Sequence, residues 1–544
     1  MKSKFFIIST LVLIGLAACT KLDQKLGGDV VFNPSGSGVA ASLLNGTYND
    51  FNGLIGAQDQ IFSLEENTSD ESLVPTRGGD WDDNGVWRVL HNHTWTAIHG
   101  QPISVFNGLG KMESDALATL ASNPNAQQAD EANFLLAVTQ FYFLDLFGQV
   151  PYRDVAEYNS IKAAPVYQPA DAIANIQSLL TGIISRNALP ASNVPSRASI
   201  DAARFLLMKL LLNKGAFLNR QAPTFDDADM QQVVTLGTQI QAGGYQLTPN
   251  YFDNFGPNNA VTSKEAIWAW PNNGSSNNNG INAQGINARW MMTLHYNSWD
   301  KNGTYGGAGW NGFSTVADFY NTFEGHGDGT PNTVIDTTQD QRIGGRFYPG
   351  VTDQSGLRPG LLAGLQKNEA GVGEVDRHGN PLAFTPAVDL VETDINTLEV
   401  TGIRIVKYPP DYAAYNGGNQ RNQLQIFRYA DVLLMMAEAK LRQATPDDAG
   451  ALALVNQIRT ARGASTWTSI TLVNTSNVDD PNTLLAERGR ELYWESWRRQ
   501  DLIRFGVFLV PWALKPADDP KFLLFAIPSD QIIANPNLKQ NEGY

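Results

Sequence analysis

Two stretches of this chain carry residue types suited to holding sugars. The first, from Arg77 to Arg88, sets Trp81 and Trp87 among Arg77, Asp82, Asp83 and Asn84. The second supplies Trp290, Tyr296, Trp299 and Trp310 beside Asn287, Asn297 and Asn311. A sugar ring offers a flat C–H face with hydroxyls at its edge, so aromatic platforms bordered by amides, carboxylates and guanidinium groups match it. Tryptophan is also heavily buried on average, which sets a packing role against a ligand role for each indole. Trp95 is read as packing, at the start of a helical stretch toward Asn107.

Catalytic and metal constellations are weaker. His91, His93 and His99 lack the i, i+4 helical spacing of a zinc pair and have no cysteine beside them, so they read as surface hydrogen-bonding residues and no metal is expected. Glu65-Glu66 and Asp82-Asp83 are acidic pairs, but what a glycosidase needs is a set separation in space, which adjacency does not supply. Asp328, Asp336 and Asp340 could offer oxygens to a hard cation, yet the Gly and Glu positions of a calcium loop are missing. There is no Gly-x-Ser-x-Gly elbow and no phosphate loop. No cofactor is expected.

The remaining chemistry is at the N-terminus. Lys2 and Lys4 precede an apolar run from Phe5 to Ala18, the pattern of a secretory signal, too short and wrongly flanked for a spanning helix. Leu16-Ala17-Ala18-Cys19 resembles a bacterial lipobox, in which the cysteine sulfur takes a diacylglycerol. Cys19 is the chain's only cysteine, and a lone exported thiol has no disulfide partner. Residues 1–18 are therefore read as a lipoprotein signal peptide and Cys19 as the lipidation site. Acyl chains, at about 0.8 kcal/mol per buried methylene, would anchor the protein while the polypeptide stays outside the bilayer.

The elements that must position the loops are helical. Residues 130–147, 199–218, 229–241, 429–443, 447–462 and 482–505 show apolar residues at spacings of three and four, with Gly148, Gly243-Gly244 and Gly506 as stops. Paired helices of this length with short connections build tetratricopeptide-type arrays. The fold is expected to be mainly α: a tetratricopeptide-like helical repeat scaffold with a large irregular loop-rich insertion. Residues 19–544 form one domain in this reading, with frame segments 38–250 and 426–510. The loop-rich ligand region is 251–425 plus 65–99, including the Gly/Asn-rich runs 271–280 and 305–310. Apolar residues make up 42% of the chain and its net charge is −15, which becomes −17 once Lys2 and Lys4 are removed. A surface this acidic argues against nucleic acid as a partner.

Several segments, in order, resemble the SusD/RagB-like outer-membrane nutrient-binding lipoproteins: Glu131 to Ala137 running on to Phe147-Gly148-Gln149-Val150-Pro151, Arg428 to Ala439, and Val455 to Arg459 with Ala461-Arg462-Gly463. Glu487 to Arg498, leading to Asp501-Leu502 and Arg504-Phe505-Gly506, and the terminal Asn535 to Asn541 complete the set. Gly489 stands inside a helix where the family usually has a larger residue, and Ser496-Trp497 replaces its usual Gly-His. Glu487, Arg490, Glu491, Arg498 and Asp501 are read as scaffold, at spacings that allow charge pairs within one helix. The resemblance implies a non-enzymatic lipoprotein, anchored at the outer-membrane surface, that captures oligosaccharides and passes them to a SusC-like TonB-dependent transporter. It also implies a ligand site built from the early loops and the irregular middle region. A surface glycan hydrolase, or the same fold binding peptides, are the alternatives.

Overall fold

A computed structural model describes residues 37–192, 195–272, 285–286, 288–298, 309–345, 357–368, 370–411 and 420–544. The signal peptide, Cys19, Asn287, Trp299 and most of the two Gly/Asn-rich runs lie outside the described residues.

Among the described residues the first helices are α1 (Ser37–Gly56), α2 (Ile61–Glu66), α3 (Val86–His91), α4 (Gly100–Ala121), α5 (Ala126–Phe147), α6 (Pro169–Arg186), α7 (Ile200–Leu218) and α8 (Asp227–Gln241). After the irregular middle come α9 (Tyr429–Arg442), α10 (Asp448–Ala461), α11 (Leu484–Leu492), α12 (Arg498–Arg504) and α13 (Ser529–Ala534). The helices stack as neighbours, α1 on α4, α4 on α5, α5 on α6, α6 on α7, α7 on α8, α8 on α9 and α9 on α10, which is the tetratricopeptide-like arrangement. No described helix is long and apolar enough to cross a membrane.

Local signals set the long helices. Asn125 accepts from the Gln128 amide (2.9 Å) while Gln128 accepts from the Asn125 amide (3.0 Å), and Gly148 ends the helix at φ 70°. The side chains of Ser199, Asp226, Asp447 and Thr483 accept from backbone amides at the starts of α7, α8, α10 and α11. The apolar stripes they orient merge into one large core.

The expected single helix over 482–505 is in fact two. Residues 493–497 break it, with Trp494 at φ 55° and Ser496 at φ 64°. Partners distant in sequence impose the break: the Ser496 amide donates to Glu66 Oε1 at 2.5 Å, the Trp494 amide to Glu71 Oε2 at 3.3 Å, and Lys407 Nζ to the Tyr493 carbonyl at 2.5 Å. The charge pairs expected within one helix mostly run between elements instead. Glu491 meets Arg428 and Arg462, Arg498 meets Asp70, and Glu487 meets Arg342 and Arg459 as well as its helical neighbour Arg490. Gly489 belongs to this crowding, since a Cβ there would lie 3.0 Å from Arg498 Nη1 and 3.1 Å from the Phe319 ring. The helix from Trp95 does not form either: α4 begins at Gly100, and Trp95 packs in the loop before it against Phe522 and Phe525.

These buried groups predict a stability maximum near pH 5. Burial opposes the charged form of Glu487, but Arg342, Arg490 and Arg459 outweigh it and hold the carboxyl down to about 2. Its contribution is present above the ordinary value of 4.5 and is lost as pH falls toward 2. Glu66 is pushed the other way by burial, up to about 7. Its contribution is complete below 4.5 and is lost as pH rises through 7. Urea midpoints should therefore decline on both sides of about pH 5, and a midpoint rising steadily to pH 8 would contradict this.

Candidate functional site

Three segments distant in sequence meet at one edge of the molecule. Leu73 and Ser314 exchange backbone hydrogen bonds, Thr76-Arg77 pairs in parallel with Val391-Glu392, and the amides of Trp310, Asn311 and Gly312 donate to the carbonyls of Met291, Leu294 and Met292. Two buried guanidinium groups tie the segments from beneath. Arg77 donates to the Leu398 and Thr401 carbonyls and to the Ser314 and Thr401 hydroxyls, at 2.6–2.9 Å. Arg404 donates to Asn311 Oδ1 and Ser314 Oγ at 2.8 Å each and to the 401 and 402 carbonyls. Burial lowers Arg77 to about 10, so it stays charged at neutral pH.

Above this base lies an aromatic cluster. The Trp81 ring is 5.6 Å from Trp87, 6.5 Å from Trp310 and 5.6 Å from Phe313, and its Nε1 donates to the Trp310 carbonyl at 2.7 Å. Trp81 itself sits at φ 60°, a conformation costly for a bulky residue. Gly312 makes room for it, since a Cβ there would be 2.3 Å from the indole. Trp81 and Trp310 are each half-buried.

Beside them, Tyr296 donates its hydroxyl to Asp80, and the Arg377 guanidinium lies 3.7 Å over one face of the Tyr296 ring. Arg377 Nε is held by Glu399 Oε1 at 2.6 Å. Glu399 Oε2 also accepts from His295 Nε2 at 2.8 Å, and His295 Nδ1 accepts from the Asn297 amide at 3.1 Å, which fixes the tautomer. Burial pushes the His295 imidazole down, so it is neutral at pH 7. Burial works against the Glu399 carboxylate, but its bonds from His295 and Arg377 prevail and hold it down to about 2.

The structure therefore brings both anticipated loop regions together but divides their residues. Trp81, Asp82, Asn84, Tyr296 and Trp310 reach the surface. Asp82 Oδ1 pairs with Arg88 at 2.8 Å, and Asn84 is exposed at φ 56°. Arg77, Trp87 and Trp290 do not reach it and are corrected to structural roles. Arg77 is 1% exposed and spent on the loop backbone, Trp87 is 5% exposed with Nε1 donating to Asp83, and Trp290 is wholly buried in a short helical turn. Large rings bury readily where loops fold onto a core, and the Arg77 cation is held inside because its hydrogen bonds to loop carbonyls and hydroxyls offset part of the desolvation cost.

The histidines expected at the surface are also inside. His91 and His93 are each 1% exposed and bonded to Ser72, Ala513, Thr68 and Asp518, and His99 is bonded to the Val86 carbonyl. Glu65 and Glu66 are buried, Asp340 pairs with Arg342, and Asp328 is held by Thr330 and Thr333. Among the described residues no three His, Cys, Asp or Glu groups gather as a metal site. Sequence reasoning missed Arg377, Glu399 and Phe313. Residues 374–380 contain no Phe, Trp or Tyr, so the signal that marked the other loops is lacking there.

Comparison with known proteins adds to this geometry. The model of the SusD family matches residues 264–521. The chain is 24% identical over 522 residues to the starch-binding protein SusD of Bacteroides thetaiotaomicron, covering 89% of this chain and 85% of that one. A SusD-like protein of Formosa agariphila is 34% identical over 123 residues, so the chain spans 24% of that relative's length. Among solved structures, a laminarin-binding SusD-like protein superposes with a TM-score of 0.64 at 18% identity, covering 94% of this chain and all of the other. A surface glycan-binding protein A of Bacteroides thetaiotaomicron in complex with laminarihexaose gives 0.63 at 16%, covering 92% and 98%. At such identities these superpositions concern the fold.

Proposed function

We propose that this chain, whose residues 264–521 match the SusD family model, is a cell-surface lipoprotein that captures oligosaccharides without cutting them and hands them to a SusC-like TonB-dependent transporter. The observation that carries this reading is the meeting of Trp81 and Trp310 at the surface, from loops 229 residues apart, beside the polar Tyr296–Asp80–Arg377 group. Open parts of indole and phenol rings suit the C–H faces of sugars, and Asp80, Asp82, Asn84 and Arg377 suit their hydroxyls. Trp299 belongs to the same proposed site by its place in the sequence. Residues 1–18 are proposed as the signal peptide, Cys19 as the anchor and 19–544 as the single mature domain. Modest affinity fits a protein that must also release its cargo.

Titrating the soluble mature chain against glycan and peptide panels, with reducing ends monitored, tests the reading. Saturable glycan binding without new reducing ends is expected. Sustained release of reducing ends would make it a hydrolase, and a response to peptides alone would replace the ligand class. Cys19→Ala is expected to move the protein from the membrane fraction to the soluble fraction with its melting temperature unchanged, and a variant that stays with membranes would defeat the anchor.

A further inference from the structure

One buried carboxyl lies outside both the rim and the ion network. Glu113, on α4, is 6% exposed and lines a groove of about 450 Å³ between α4, residues 151–164 and α13. Its Oε1 is shielded from solvent and has no hydrogen-bond partner. A buried oxygen left in that condition is costly, and a ligand hydroxyl seated beside it would recover that cost. The groove shares no residue with the rim, and Glu113 is about 20 Å along α4 from its start near α3.

The remaining walls restrict what enters. Phe106, Leu117, Phe143 and Leu538 are almost completely buried and form an apolar floor. Tyr158, Arg153 and Lys162 stand toward the mouth, where Arg153 Nη2 donates to the Lys162 carbonyl at 2.5 Å. A cationic ligand would meet Arg153 and Lys162 at the mouth. Burial lifts the Glu113 carboxyl to about 8 and Arg153 only partly opposes it, so at neutral pH it is largely protonated and can both donate and accept. The volume falls in the range of small-molecule sites.

We propose that this groove is a second binding site, separate from the rim, for a neutral polyhydroxylated small molecule of mono- or disaccharide size, with Glu113 as its polar anchor and the phenyl floor beneath the C–H face. It is independent of the rim reading. The test is saturation-transfer NMR on the full mature chain carrying Trp81→Ala and Trp310→Ala, with glucose, galactose and maltose as probes. Saturation of sugar ring protons is expected to persist in that background. Glu113→Met, which keeps the bulk and removes the oxygens, and Tyr158→Ala, at the half-exposed mouth, should each weaken binding about tenfold. Absence of transfer from all three sugars, or transfer that neither variant changes, would overturn the proposal.

Discussion

Glu491→Gln is expected to lower folding stability by about 3–5 kcal/mol, read as a fall in the urea midpoint at pH 7 with an unchanged slope. Glu491 Oε1 takes Arg428 Nη1 at 2.6 Å and Arg462 Nη2 at 2.8 Å, while Oε2 takes Arg462 Nε at 3.1 Å and Arg342 Nη1 at 3.3 Å. All four side chains are at most 1% exposed. Glutamine keeps the shape but removes the charge, leaving three guanidinium groups to Glu265, Glu495, Asp340 and Glu487. The cost comes from removing the counter-charge that three buried cations share, which is why it exceeds that of an ordinary surface pair. The cluster also joins the irregular middle, through Asp340 and Arg342, to α10 and α11, so the variant should loosen the insertion's seat on the frame. A midpoint within the error of the parent protein would show that the network is dispensable.

The second large effect concerns binding. Trp81→Ala and Trp310→Ala are each expected to weaken glycan binding by about 1–3 kcal/mol, roughly 5- to 150-fold, as for anchor aromatics at other interfaces. Trp81 also packs against Trp87 and Phe313, so some stability will be lost with it. Trp310 packs less closely, 6.5 Å from the Trp81 ring, and its variant separates the two effects. Weaker binding in Trp310→Ala with a nearly unchanged melting temperature would support the platform. Full affinity in both variants would move the ligand site elsewhere.

The long helices were legible because their determinants are local. An apolar stripe, a capping side chain three residues before its partner and a glycine stop all lie within one segment, as in α5 with Asn125, Gln128 and Gly148. The break at 493–497 was not legible, because the groups that hold Trp494 and Ser496 in left-handed conformations are Glu71 and Glu66, over 400 residues away. The same contrast holds at the rim. Composition marked the stretches around residues 77–88 and 290–310, but not that Trp81 would stay half-open in the loop while Trp87, in α3, is buried.

What the amino-acid order determined by itself was the helical frame, the acidic character, the family resemblance and the two aromatic-rich loops. Each depends on neighbours within a few residues or on composition. The tertiary structure decided which indoles face solvent, that Arg77 ties loops together, and that Arg377 and Glu399 join the rim. Those outcomes depend on contacts between segments hundreds of residues apart, where burial of a ring or a cation is settled by what packs over it.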